Sequence, residues 1–309
     1  MLYALLVDPF VQIWQSPAFF FEVLIGGLLT GVMYALVALG FVLIFKASGV
    51  FNFAQGAMVL FAALTFAGFI DKGVHPLLAA ALAAAVMVGL AYAIERIVLR
   101  HLVNQAPIIL FMATIGITFF LDGFGQTVWG SEIRTLNIGI PEGPVIIGGL
   151  YVDKFDIWAA VICGVLVAGL ALFFQYTTIG RALRAVADDH EAALSVGIPL
   201  RTIWTIVWSV AGIVGLVAGI MWGSKLGVQF TLALIALKAL PVLILGGFTS
   251  VPGAIVGGLI IGAGEKVAEV FWGPALGGAI EDWFAYMLAM VFLLFRPQGL
   301  FGERIIERV

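Results

Sequence analysis

The sequence predicts an all-α bundle of membrane-spanning helices, on two facts of composition and one pattern. Of its 309 residues, 63% are hydrophobic and only 11% are charged, where soluble domains carry roughly 25% charged residues. The mean hydropathy is +1.16. A globule of this length still needs a wetted polar skin, so the solvent for most of this surface is lipid. The pattern is a series of apolar runs at 24–45, 76–94, 108–121, 157–174, 203–222, 232–245, 251–264 and 284–295, with a shorter one at 57–70. About 20 apolar residues cross a bilayer. If the shorter runs extend past their apolar limits, the count is eight or nine spans. A membrane β-barrel would show repeated ten-residue alternation, which this sequence lacks. Its 38 glycines suit helices packed through small residues.

These runs read as one transmembrane domain over 1–309, with an interfacial segment at 1–17 anchored by Trp14. Asp8, Pro9 and the missing basic start argue against a cleaved signal. Outside the spans only 129–156 and 177–201 have any size, and both fall well below the 50 or so residues a domain needs. The first is rich in Gly, Pro and β-branched residues, and the second is charged and helical in pattern. There is no room for a nucleotide-hydrolysing domain, and neither a phosphate loop nor an H-E-x-x-H motif occurs. Any ATP-driven role would depend on another chain. The lone Cys163 lies in an apolar run and implies neither an internal disulfide nor a Cys-based metal site.

Lys46, Arg96, Arg100, Arg181, Arg184, Arg201, Arg296, Arg304 and Arg308 fall at alternate ends of successive spans. The positive-inside bias puts those ends, and the C-terminus, in the cytoplasm. The opposite ends carry Lys72, Arg134, Lys154, Lys225 and Lys266. By this topology the similar segments 28–35 (LLTGVMYA) and 216–223 (LVAGIMWG) run in opposite directions. Transporters are often built from such inverted repeats.

Three constellations could carry function. The stretch 49–56 (GVFNFAQG) interrupts two apolar runs with Asn52 and Gln55 between glycines. Broken helices at membrane depth are tolerated only against protein or a water-filled cavity, so these residues could line a path. The alternative is a cytoplasmic turn with Asn52 as a helix cap. The inner stretch 178–198 combines helix-forming alanines with Gly197 and Pro199 as a stop. Leu183, Val186, Ala193 and Leu194 would share its apolar side, and so short a helix needs a docking surface. Third, Lys238 lies within a span, where a lysine costs about 2.5–3.5 kcal/mol on insertion scales; such groups usually face the bundle interior or water. A structural ion pair or snorkelling is the alternative. Glu265 and Glu269 share a helix face toward an outer span end, where they could line the mouth or meet headgroup water.

Four segments in order resemble the permeases of branched-chain amino-acid ABC importers: Asn52-Phe53-Ala54 with Gly56; Gly180-Arg181-Ala182 with Arg184-Ala185, Asp189 and Gly197-Ile198; Leu245-Gly246-Gly247 with Ser250-Val251-Pro252-Gly253-Ala254, Gly257-Gly258 and Glu265; and Pro297-x-Gly299 with Gly302. The resemblance runs from about residue 20 to the C-terminus. It implies a multi-pass protein of the bacterial inner membrane with no cofactor and no catalytic residues. Its partners would be a second homologous permease subunit, two cytoplasmic ATP-binding subunits and a periplasmic solute-binding protein, with no nucleic acid. It also implies that 181–197 is a coupling helix seated in a groove of the ATPase. Gly180, Arg181, Arg184, Asp189, Glu191 and Gly197 are then candidate coupling residues, although Arg181 and Arg184 could bind lipid headgroups instead. Asn52, Phe53, Gln55, Lys238 and Glu265 are the candidate path residues. Two departures bear on the solute: Gln55 stands where a His is common, and Pro241 follows Lys238 and could kink its span.

The implied solutes are branched-chain or other hydrophobic amino acids, with urea, short amides or aromatic acids as the alternatives. A stand-alone secondary transporter or channel would need more buried acids for ion coupling than these spans offer. An intramembrane enzyme would need a nucleophile and base, or metal ligands, at membrane depth. His75, His101 and His190 all sit at or beyond span ends.

Overall fold

The structure is a computed structural model that describes residues 2–102, 105–141, 143–188 and 190–302, with the backbone alone described for Leu2, Ala4, His190 and Glu191. The first helices are α1 (Leu2–Leu6), α2 (Asp8–Gln15), α3 (Pro17–Ser48), α4 (Gln55–Asp71), α5 (Pro76–Ile97) and α6 (Pro107–Trp129). A hairpin of β1 (Pro144–Ile147) and β2 (Leu150–Asp153) follows. Then come α7 (Lys154–Tyr176), α8 (Thr178–Asp188), α9 (His190–Ser195), α10 (Leu200–Leu226), α11 (Ile235–Gly246), α12 (Val251–Leu276) and α13 (Glu281–Phe295). Short 3₁₀ turns occupy Leu99–His101 and Phe230–Leu234. The protein is an all-α membrane bundle.

Among the described residues, five helices are long and apolar enough to span: α3, α5 with its 3₁₀ turn, α6, α7 and α10. A sixth span results if Phe230–Gly246 and Val251–Leu276, bent by 115° against each other, count as one. The eight or nine expected spans are therefore not established. The runs at 232–245 and 251–264 were expected to cross separately, but they meet at a sharp bend. The run at 57–70 forms α4, whose 17 residues rise about 26 Å at 1.5 Å each, short of a hydrocarbon core of about 30 Å. The bend falls at Gly247–Ser250, and Pro241 stays inside α11.

Burial differs sharply between the long helices. The apolar windows of α3 and α10 are 72% and 67% buried, against 28% for each of α5, α6 and α7. A helix apolar all round belongs inside. This also describes α4, which is buried from Gln55 to Gly68.

The chain forms two compact units interleaved in sequence. One comprises Met1–Ala38, Gly139–Val165 and Lys238–Val309, and the other Leu39–Ile138 and Leu166–Leu237. Helices α3, α7 and α11 contribute to both.

In the first unit, α3 packs on α12 through glycines. A Cβ added to Gly31 would lie 2.5 Å from the carbonyl oxygen of Gly258, and one on Gly27 would lie 2.7 Å from that of Gly262. α13 packs along α12. The N-terminal helices dock on α12 as well: the indole N–H of Trp272 donates to the carbonyl of Leu5 (3.1 Å), and Phe10 meets the Trp272 ring edge-on at 5.6 Å. Trp14 stays 86% exposed. The segment expected only to be rich in Gly and β-branched residues contains the β1–β2 hairpin, which turns at Gly148 and Gly149, both at positive φ. Two such residues make the turn whose twist suits a two-residue hairpin. The hairpin is tied to α3 by the Tyr151 N–H, which donates to Glu22 (2.8 Å).

In the second unit, α4 is surrounded by α10, α5, α6 and the 3₁₀ turn at Phe230–Leu234. Gly219 brings α10 close enough that a Cβ there would lie 2.6 Å from the carbonyl of Val59. The two similar segments noted above thus use their central glycines, Gly31 and Gly219, alike: each admits the backbone of a neighbouring helix of its own unit. At the end of α4, Arg134 bridges to Asp71 (2.7 Å) and also donates to the carbonyl of Trp129.

Candidate functional site

The break between α3 and α4 lies in the second unit and is buried in protein. Asn52, Ala54 and Gln55 are all fully buried, which excludes a solvated turn, and Gly49 provides the positive φ that turns the chain. Asn52 bonds the backbone in the turn just ahead of α4, whose own N-cap residue is Ala54. Its Oδ1 accepts from the Ala54 N–H (3.0 Å), and its Nδ2 donates to the sulfur of Met58 (3.8 Å). The structure thus shows a buried break between α3 and α4 whose turn is closed by Asn52. Phe53 is 41% exposed. Its N–H donates to the Thr114 hydroxyl (3.2 Å), and its ring meets Phe51 and Phe111 edge-on at 5.0 Å. Gln55 donates weakly to the carbonyl of Ala211 (3.5 Å) and leaves Oε1 without a partner. Its amide fills the space beside Gly40 that a Cβ there would occupy.

The inner stretch, also in the second unit, folds as α8 and α9. The Thr177 hydroxyl accepts from the Gly180 N–H (3.1 Å) and starts α8. Gly180 is required by space, because a Cβ there would strike the backbone of Phe174. Leu183, Val186 and Ala193 are buried as expected, whereas Leu194 is 49% exposed and does not share that face. Arg181 is exposed, but Arg184 is engaged within the chain: its guanidinium donates to the carbonyls of Phe174 (2.6 Å) and Gln175 (3.3 Å). Those carbonyls belong to the last turn of α7, where helical acceptors lack partners and cations are favoured. Gly197, at φ +85°, ends α9 with its N–H donating to Leu194 (3.0 Å). Asp189 lies outside the described residues, and Glu191 is described by its backbone alone.

Lys238 and Glu265 come together in the first unit. The Lys238 ammonium lies 3.1 Å from Glu265 Oε1, 3.3 Å from Glu281 Oε1 and 2.9 Å from Asp282 Oδ1. The Tyr34 hydroxyl also donates to Glu265 Oε1 (3.0 Å), while Glu265 Oε2 is buried without a partner. Lys238 therefore answers its cost by pairing with three carboxylates. Glu269 has a different task from its helix neighbour. Its carboxylate accepts from the backbone N–H groups of Ala279 (2.9 Å), Ile280 (2.7 Å) and Glu281 (3.0 Å), capping α13 from α12. Glu265 and Glu269 both engage protein groups, where the sequence left the outer mouth or headgroup water open to them. Sequence reasoning missed Tyr34, Glu281 and Asp282. The acidic pair directly before the last apolar run was the available signal.

The glycine-rich motif of the last third also folds upon itself. The Ser250 hydroxyl accepts from the Gly253 N–H (3.0 Å) and caps α12. Gly246 and Gly253 touch backbone to backbone. The turn at the other end of α13 closes on the same place: the Leu300 N–H donates to Leu245 (2.8 Å) and the Phe301 N–H to Gly246 (3.2 Å), satisfying carbonyls at the end of α11. Two of the four motif segments are therefore one structural knot.

A family model described as "Branched-chain amino acid transport system / permease component" matches residues 23–295. The chain belongs to this permease family. The high-affinity branched-chain amino acid transport system permease protein BraD of Pseudomonas aeruginosa is 30% identical, over 94% of this chain and 98% of that protein. The permease protein LivH of Escherichia coli K12, named for the same transport system, is 28% identical over the same shares. A more distant relative, the L-arabinose ABC transporter permease protein AraH of Azospirillum brasilense, is 27% identical over 57% of this chain and 52% of that one. The permease-family match covers every segment that carried the resemblance except Pro297-x-Gly299 and Gly302.

Proposed function

We propose that the chain is the membrane-spanning subunit of an ATP-driven importer that passes branched-chain or other hydrophobic amino acids. The observation that carries this reading is the end-to-end similarity to permeases named for branched-chain amino acid transport. AraH, named for an arabinose transporter, aligns over only about half its length, so the sugar reading has less support. The partners are a second permease subunit, two ATP-binding subunits and a periplasmic solute-binding protein. The chain sits in a bacterial inner membrane with its C-terminus in the cytoplasm, in keeping with the placement of its basic residues.

In this reading α8 and α9 are the coupling element. The exposed Arg181 is the contact to the ATPase, and Asp189 and Glu191 remain coupling candidates from the sequence, while Gly180, Arg184 and Gly197 hold the element in shape. A short helix braced on α7 and packed on α10 moves with those spans. Asn52, Phe53 and Gln55, with Lys238 and Glu265, belong to the translocation path.

The test is reconstitution of the chain with its proposed ATPase, second-permease and binding-protein partners. Leucine-stimulated ATP hydrolysis and ATP-dependent leucine uptake are expected. Uptake by the purified chain alone, with no ATPase present, overturns the reading.

A further inference from the structure

We infer that the Lys238–Glu265 cluster is a receptor for the zwitterionic head of an amino acid, the carboxylate meeting Lys238 and the ammonium meeting Glu265 Oε2. The inference rests on the import reading for the class of solute, an amino acid, and every residue it uses lies in one compact unit.

Two observations describe the place an ammonium would fill. One ammonium serves three carboxylates, those of Glu265, Glu281 and Asp282, so negative charge is in excess. Glu265 itself is only 4% exposed, yet Oε2 has no hydrogen-bond partner, while Oε1 of the same carboxylate holds both Lys238 and the Tyr34 hydroxyl. A buried charged oxygen without a partner is costly. A second ammonium would give the orphan oxygen its partner, and the zwitterion that carries it leaves the net charge of the cluster unchanged. Among the described residues, no three His, Cys, Asp or Glu side chains converge as a metal site would, which favours a hydrogen-bonding cation over a metal ion.

The carboxylate of the solute also has a place. The Lys238 side chain is 25% exposed, and its 2.9 Å partner Asp282 is 72% exposed. An exposed ion pair holds its partners weakly, so an arriving carboxylate can replace Asp282 on Lys238. Tyr34 is then a positioning residue. Its hydroxyl holds Glu265 Oε1, so the carboxylate cannot rotate to spend both oxygens on Lys238. Such a site reads the head that all amino acids share and leaves the side chain unread, leaving selection by side chain to the binding protein.

The test uses the full chain purified in lipid nanodiscs, with thermal unfolding followed against L-leucine, leucine amide, which lacks the carboxylate, and 4-methylpentanoate, which lacks the ammonium. L-leucine is expected to raise the unfolding midpoint saturably and most, leucine amide, which keeps the ammonium for Glu265, to raise it less, and 4-methylpentanoate to leave it in place. Glu265→Gln should weaken leucine binding by about tenfold or more, the range for losing a hydrogen bond to a charged group. Should that variant fail to fold, Asp282→Asn provides the gentler test: it removes the competitor for Lys238 and should tighten leucine binding several-fold. Equal shifts from all three compounds, no shift with leucine in the unaltered chain, or unchanged affinity in Asp282→Asn would overturn the assignment. Because no ATPase is present, leucine binding without ATP-dependent uptake keeps the site and discards the import reading, and uptake without binding does the reverse.

Discussion

Gly31 and Gly258 stand face to face with no room for a methyl group between their helices: a Cβ on Gly31 would lie 2.5 Å from the Gly258 carbonyl oxygen, and one on Gly258 would lie 2.6 Å from that of Gly31. The obstacle is backbone, which cannot swing aside as a side chain can. Gly31→Val should therefore separate α3 from α12 and cost at least the 1–3 kcal/mol or so typical of overpacking. Gly26, on the same helix, has nothing within 4 Å of its added Cβ. Gly26→Ala should stabilise, by up to about 1 kcal/mol of helix propensity. Thermal unfolding in detergent measures both, and equal effects at the two positions would refute the packing account.

Glu269 caps a helix other than its own. Three backbone N–H groups at the start of α13 converge on its carboxylate. Glu269→Ala should cost about 2 kcal/mol, the upper range for a lost cap, and Glu269→Gln less. Hydrogen exchange of the amides at 279–281 should accelerate in the alanine variant, and unchanged protection there would contradict the assignment.

The two arginines of α8 should separate by experiment. Arg184→Ala removes the clamp on the end of α7 and should destabilise the chain by about 1–3 kcal/mol, as hydrogen bonds to charged groups do. Arg181→Glu should leave stability within about 0.5 kcal/mol, as surface changes generally do, while weakening co-purification of the ATP-binding subunits. If Arg184→Ala unfolds at the native temperature, or Arg181→Glu co-purifies as before, the division of labour fails.

Gln55 is buried, yet one oxygen lacks a partner and its single donor contact is long. Gln55→Met, similar in volume, should change stability by less than about 1.5 kcal/mol. A loss of several kcal/mol in the unfolding measurement would mean that the amide holds more of the break than its contacts account for.

The bundle was legible because apolar runs and small residues report the solvent directly. The span count was not. Residues 232–245 and 251–264 each look like a crossing, and only the turn at Gly247, pinned by Leu300 and Phe301, shows that they bend sharply against one another. Lys238 stood out in the sequence because charge in an apolar run is rare. Its partners did not, since Glu281 and Asp282, and the Tyr34 that holds its partner Glu265, are brought together from distant parts of the chain. Arg184 reads in sequence like any exposed basic residue. Its partners are backbone carbonyls, which no side-chain pattern reveals.

The pairing of Lys238 also sets an order for biogenesis. The lysine is made 27 residues before Glu265 and 43 before Glu281, so α11 meets the translocon with its charge uncompensated. Twelve residues bearing a lysine make a poor stop-transfer signal, and partition into lipid becomes favourable only when the acids arrive. The last three helices are therefore best inserted together, and a nascent chain arrested before residue 281 should remain extractable from the membrane in that region.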